Sequence, residues 1–494
     1  MNFANAIKTN TNVKLTENGA RAYTTQGNAL TDLFAQIGAL RPRTEQEIRD
    51  KYAAAFAIDP LLATKMLFYA GNVRGGLGER RTFRTCLRWM AENHPSIVTK
   101  NVSLIPHFNR WDSMFVLVGT AAEKEMWKVI ADQLNSDMAA VAASKTTRKP
   151  QPISLLAKWM PTETASSKAT RDLAFHTMRN LGLTPRAYRK VLTALRKHLK
   201  VVESTMSARE WELIQYAQVP SYAMKNYRKA FAKHDPVGFA SYKDSLVKGE
   251  TKVNASTLFP YDLVGQYLHG RIYGTDDIIE AQWKALPNYV AGENNILIMA
   301  DVSGSMFWNG GRPADTSIGL ATYFAQRNKG AYHNLYMTFT DHPSFIELRE
   351  GASLGECVRK VKSTGVGFST NLENAFNAIL NHAISNGVTD EEMPKALVVV
   401  SDMEIDSYKG QRNLDFVTAM RARFARSGYT LPKLVLWNVE ARNDTFLSKQ
   451  EGVIYVSGQS ASTFRELCCN LDGKTTWDVM CETLGNKMYD CVTV

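Results

Sequence analysis

Three oxygen-bearing side chains stand at alternate positions in residues 296–306, ILIMADVSGSM. They are Asp301, Ser303 and Ser305, with Gly304 between the serines. A carboxylate and two hydroxyls are hard donors, which suit Mg2+ or Mn2+ rather than zinc. Four apolar residues, Ile296 to Met299, and the small Ala300 precede them and read as a buried strand. Beyond a loop, residues 316–326 carry apolar side chains at helical spacing. A strand ending in D-x-S-x-S and leading to a helix puts the three side chains at the carboxyl end of a sheet. Open α/β sheets bind their ligands there. Alone the pattern is a weak signal, because a strand followed by a Gly-Ser turn carries the same letters.

Two further stretches strengthen it. Residues 365–372, GVGFSTNL, place Thr370 in a glycine-rich loop before a helix starting near Leu372, with Ser369 beside it as an alternative hydroxyl. Residues 395–406, KALVVVSDMEID, read as a second buried strand with Asp402 just past its end. The order of strand–Asp–Ser–Ser, loop threonine and strand–Asp resembles the metal-ion-dependent adhesion site of von Willebrand factor A domains. The resemblance implies a divalent ion, Mg2+ or Mn2+, at Asp301, Ser303, Ser305, Thr370 and Asp402. In that family the hydroxyls approach the metal, the aspartates act partly through water, and a partner's acidic group completes the shell.

The elements around these residues divide the chain into two parts. From about 291 to 494, strand candidates at 295–300, 333–340, 396–401, 433–439 and 453–456 alternate with helical patterns. Such alternation predicts a mainly parallel, doubly wound sheet. From 29 to about 289 the spacing is helical nearly throughout. Prolines at positions such as 60, 95, 185, 220 and 236 cut it into segments of helix-hairpin size, as in stacked helical repeats. The domains expected are therefore 1–290, helical, and 291–494, α/β. Residues 1–28, polar and rich in Asn and Thr, read as a loosely ordered arm.

The chain has 494 residues, enough for two or three domains. It contains no apolar run of about 18 residues and no apolar leader core, so a cytoplasmic protein without membrane contact is expected. The six cysteines form no C-x-x-C pair and fit free thiols in a reducing compartment. Charge is the most informative quantity. The net is +11, but residues 1–290 hold 40 Lys and Arg against 25 Asp and Glu, while residues 291–494 hold 19 against 23. A first part at +15 joined to a second at −4 points to a polyanion partner for the first, and nucleic acid is the usual one.

The most basic window is 145–200, where Glu163 and Asp172 are the only acids. Lys168, Arg171, Arg186, Arg189, Lys190, Arg196 and Lys197 are its candidate phosphate contacts, with Trp159, Phe175 and Tyr188 interleaved as rings that stack on bases or fill the core. A second basic helix carries Lys225, Arg228 and Lys229 on one flank. Residues 72–81, NVRGGLGERR, lack the Gly-Lys-Ser/Thr ending of a phosphate loop. They read either as a tight connection with Gly75 and Gly76 at positive φ, or as amides with Arg74, Arg80, Arg81 and Arg84 facing phosphates.

A basic helical part followed by DVSGSM, the Thr370 loop and SDMEID resembles the TROVE-module proteins, the Ro autoantigen and its bacterial relatives. The stretches VRGGLGER, VPSYAMKNYRKAF and LFPYDLV are closer still to an uncharacterised family of the same layout. The Ro resemblance implies HEAT-like repeats closed into a ring. It also implies binding of small structured or single-stranded RNA and RNA quality control; a monomer is expected. The competing function is a protein-assembly module whose metal grips an acidic side chain without RNA, since the von Willebrand A fold serves both. The chain has no H-E-x-x-H, nucleophile elbow or Walker loop, so no enzyme is expected.

Overall fold

The computed structural model describes residues 12–290, 292–308, 310–340, 342–365, 367, 369–407, 416–468, 471 and 473–494. Among the described residues up to Lys284, the regular structure is helical apart from one hairpin. The prolines that interrupt the sequence pattern open helices rather than loops. Pro60–Gly71, Pro185–His198 and Pro236–Val247 each start on one, at the position where the missing N–H is not needed. The residue before each proline caps the helix: Asp59 accepts from the Leu62 N–H, Thr184 from Ala187 and Asp235 from Gly238. Helices Glu45–Ile58, Pro60–Gly71 and Arg80–Asn93 pack on one another in turn.

The second part is a six-stranded sheet of β3 (Ile296–Asp301), β4 (Leu335–Phe339), β5 (Ser344–Glu347), β6 (Ala396–Ser401), β7 (Lys433–Asn438) and β8 (Val453–Ser457). Their order is β5-β4-β3-β6-β7-β8. All neighbours are parallel except β4 and β5, which form an antiparallel edge pair. The short β5 is absent from the sequence reading, and it makes the sheet mixed. From β3 the chain goes to β4 on one side and later to β6 on the other. The crevice at the carboxyl ends of β3 and β6 is therefore the switch point of the sheet.

Alternate residues of β3 enter different cores. Ile296, Ile298 and Ala300 join one core that runs on through Leu263 and Val264 into the helical part. Leu297 and Met299 face a second, with Phe376 and Phe424 from helices Leu372–Ser385 and Phe416–Arg426. Helix Pro260–Leu268 lies against helix Arg312–Arg327 with almost no gap. A Cβ on Gly319 would sit 3.1 Å from Pro260, and one on Gly265 2.6 Å from the Asp315 carboxylate. The two parts thus share one hydrophobic interior.

Residues 12–28 are not a loose arm. Strands β1 (Val13–Leu15) and β2 (Arg21–Tyr23) pair antiparallel, and the hairpin bridges to Asp406 and Phe446. Ala20 and Ala22 are buried in the second core. The polar composition that suggested disorder belongs to residues whose hydrogen-bond partners lie nearly 400 positions away. At the other end, helix Thr476–Leu484 returns to pack on β8, Ala29–Phe34 and Pro60–Gly71. Among the described residues no helix is long and apolar enough to cross a membrane. Cys86 and Cys357 are buried free thiols, and Cys481 and Cys491 are also free. Cys469 lies outside the described residues.

Candidate metal centre and basic surfaces

Asp301 ends β3 and is fully buried. One carboxylate oxygen accepts the Ser303 N–H at 2.8 Å, and the other accepts the Ser401 hydroxyl at 2.5 Å. The chain then turns through a short 3-10 segment, Gly304–Phe307, which brings the Ser303 and Ser305 Oγ atoms 3.3 Å apart. Asp402 follows β6, the neighbouring strand, and is also fully buried. Its Oδ1 accepts the Glu404 N–H at 3.2 Å. Ser305 is close enough to this carboxylate to favour its charged form.

The threonine loop is tied to both of these segments. Ser303 and Gly367 form a parallel bridge, and the Thr370 carbonyl accepts the Asp406 N–H at 3.1 Å. Thr370 is buried, whereas Ser369 is partly exposed. The approach requires glycine at 367, since a Cβ there would fall 2.1 Å from that of Thr340. Val366 and Phe368 lie outside the described residues.

The electrostatics favour a cation. Burial, and then the nearby Asp402, push the Asp301 carboxyl up to about 7. Burial raises Asp402 as well, opposed first by Arg442. Two buried carboxylates beside paired hydroxyls fit a hard divalent ion, which would relieve their repulsion. Among the described residues no three His, Cys, Asp or Glu come together as a metal site, so ligation by these acids needs the hydroxyls.

The sequence reading misses Arg442. It sits on the loop after β7 and donates from Nη2 to Asp402 Oδ2 at 2.7 Å, with its side chain 14% exposed. The same Nη2 lies 3.3 Å from Glu17, at the tip of the β1–β2 hairpin. The hairpin is clamped there: the Glu17 N–H donates to Glu404, the Thr16 hydroxyl to the Ile405 carbonyl, and Asn443 bridges Glu17 and Glu404. Trp308, 62% exposed, stands 5.7 Å from the guanidinium. Position at the carboxyl end of the next strand was the available signal for Arg442. Nothing local marks Glu17.

The nominated phosphate contacts scatter. Arg186, Lys190 and Lys197 share the exposed face of helix Pro185–His198. Arg189 is on the same side but pairs with Glu163 at 2.7 Å. Arg196 turns inward, where it donates to the Ala157 and Met160 carbonyls and is lowered by burial. It closes the end of a neighbouring helix and is no phosphate contact. Arg171 likewise donates to the Ala165 and Ser166 carbonyls. Lys168 is exposed and pairs with Asp172. Tyr188 is core, Phe175 is 48% exposed, and Trp159 lies under Arg110. The expected basic flank of Ser221–His234 is mostly structural, because Lys225 and Arg228 are buried against Asp262 and Asp276 and Lys229 alone is exposed.

The 72–81 segment divides in the same way. Glu79 is buried and holds Arg41 through two bonds of 2.6 and 2.7 Å, and Arg41 in turn reaches Gln459. Arg81 donates to the Arg41 and Arg43 carbonyls. Gly78, not Gly75 or Gly76, takes positive φ. Arg74 and Arg80 are exposed.

Residues 16–110 and 166–294 match the family model described as domain of unknown function DUF2828. Residues 295–476 match that of DUF7788, also a domain of unknown function. The chain is 31% identical over 493 residues to "Uncharacterized protein L728" of Acanthamoeba polyphaga mimivirus, covering 92% of this chain and 84% of that protein. The crystal structure of the Deinococcus radiodurans RO (RSR) protein superposes with a TM-score of 0.47 at 13% identity, covering 93% of this chain and all of that one. Identity of 31% over 92% of its length places the chain in one family with the mimivirus protein L728, with a DUF2828 part followed by a DUF7788 part.

Proposed function

We propose that this chain is a non-enzymatic RNA-binding protein. Its basic helical part would hold small structured or single-stranded RNA. A Mg2+ or Mn2+ ion at Asp301, Ser303, Ser305, Thr370 and Asp402 would engage an acidic group of a protein partner. The observation that carries the RNA reading is the outer face of helix Pro185–His198. Arg186, Lys190 and Lys197 are exposed there with no carboxylate partner among the described residues. Helical geometry places the three within about 40° of one another around the axis. Solvated cations on one face, in a part of net charge +15, suit a phosphate backbone. The serial packing of helices 45–58, 60–71 and 80–93 supports HEAT-like stacking. The helical part also starts and ends against the α/β part, which supports its closing into a ring.

The acidic-partner reading has its own support. Glu17 already sets a carboxylate against Arg442 at the rim of the centre. A bound ion would supply a positive charge that an incoming carboxylate can ligate, and Arg442 and the hairpin would shape its approach.

The test is a salt titration of fluorescent RNA binding to the full chain and to its R186A/K190A/K197A variant. The variant should bind more weakly, and each lost contact should flatten the log–log slope by about 0.7 for a single strand. Binding insensitive to salt, or a variant with an unchanged slope, would contradict the RNA reading and favour the assembly module.

A further inference from the structure

The arginine-rich segment after Gly78 holds a feature that the basic face of helix Pro185–His198 does not. Arg80 opens helix Arg80–Asn93 and is exposed. Among the described residues no hydrogen bond or ion pair engages its side chain. Its surroundings are already positive. Arg84 and Arg110 lie close enough to disfavour its charge, after the effect of burial, and Asp112 only partly offsets them. That single carboxylate serves two guanidiniums, Arg84 at 2.9 Å and Arg110 Nε at 2.9 Å. Three arginines therefore share one acid, with one of the three left without a partner.

Two rings border this excess charge. The Arg110 guanidinium stacks over Trp159 at 3.8 Å, which fixes its plane. Tyr222, 39% exposed, is close enough to Arg80 to influence its charge, and the Lys225 ammonium stands 4.5 Å from its ring. Its hydroxyl hydrogen-bonds both Asp262 oxygens at 2.7 Å, so the ring is held in place. These residues come from four segments spread over more than 140 positions, and only the fold assembles them.

We propose that Arg80, Arg84 and Arg110, flanked by Trp159 and Tyr222, form a binding site for the backbone of a single-stranded nucleic acid. The proposal rests on the RNA reading above and adds the place at which a single strand is held. Planar guanidinium forks match the two free oxygens of a phosphodiester, and a phosphate can take the donors that Asp112 leaves over. Fixed rings beside them offer π faces to unpaired bases. Bases in a duplex are already stacked and cannot use them. An acidic peptide would satisfy the arginines but has no need of the rings.

The experiment measures binding of a fluorescein-labelled octauridylate to the full chain, to R80E and to R186A/K190A/K197A. Circular dichroism checks the fold, and R80K serves as the charge-conserving variant. R80E should weaken the octamer by roughly tenfold or more, R80K by much less, and the triple variant by less than R80E does. If R80E binds as the parent does while the triple variant loses RNA, the site assignment is overturned and the RNA reading stands. If the parent binds neither the octamer nor a hairpin RNA, both fall. Displacement of the octamer by oligoglutamate or inorganic phosphate at equal concentration would also overturn the single-strand assignment.

Discussion

Replacing Arg442 by alanine tests the electrostatics of the candidate metal centre directly. The guanidinium holds Asp402 Oδ2 at 2.7 Å, and Asp402 is fully buried beside the buried Asp301. Removing one partner of a buried pair typically costs about 3–5 kcal/mol, because the other charge stays behind unpaired. Two observations reduce that figure. Arg442 Nε and Nη1 are buried without hydrogen-bond partners, so their desolvation is no longer a cost in the variant. Glu17, half-exposed, can turn its charge to water. A loss of about 2–4 kcal/mol is expected without metal. With an unfolding entropy near 2.1 cal/mol/K per residue over the whole chain of 494 residues, that is about 2–4 °C in Tm. A divalent ion would replace the missing positive charge, so Mg2+ should return at least half of the loss. Thermal melts at pH 7.5 in EDTA and in Mg2+ would compare the parent, R442A and D402N/R442A. The double variant should lie well above R442A in EDTA, because the stranded charge has gone with its partner. An R442A that melts within a degree of the parent in EDTA would refute the argument. So would equal responses to Mg2+ in R442A and D402N/R442A.

Two other outcomes follow from the same structure. Ser303→Ala and Asp301→Ala should abolish Mn2+ binding measured by paramagnetic relaxation while leaving the far-UV spectrum unchanged, and unchanged metal affinity in both would remove the ligand assignment. Glu466, held up to about 7 by burial, keeps a proton that the unfolded chain gives up near 4.5, so the folded state binds more protons between those values. Stability should fall as pH rises across that window and level off above it, by about 3 kcal/mol at most. E466Q should flatten this part of the profile in urea titrations at pH 5 and 8, and an unaltered profile would exclude Glu466 as its source.

The shared core bears on how such experiments are built. Leu263 and Val264 lie in one hydrophobic interior with Ile298 of β3, and the 12–23 hairpin adds Ala20 and Ala22 to the opposite face of the sheet. Cutting the chain near residue 290 would expose both surfaces. Variants of the whole chain therefore test function more cleanly than isolated halves.

Much of this molecule is written locally. Helical spacing, the Asp59, Thr184 and Asp235 caps before prolines, and the apolar runs of β3 and β6 each depend on residues within a few positions. Local physics determines such elements, so the helical first part and the α/β second part were legible from the sequence alone. The placement of Asp301 and Asp402 at strand ends was legible for the same reason, given that parallel neighbours align their carboxyl ends. What the sequence could not decide were the pairings between distant segments. Arg442 meets Asp402 across 40 positions and Glu17 across 425, and Arg196 spends its charge on carbonyls of a helix that no periodicity points to. A basic residue reads the same in the sequence whether its donors face water or a carbonyl. Only the packed structure determines which donors are already used, and hence why, among the described residues, Arg80, Arg186, Lys190 and Lys197 have no acidic partner while Arg196, Lys225 and Arg228 are engaged.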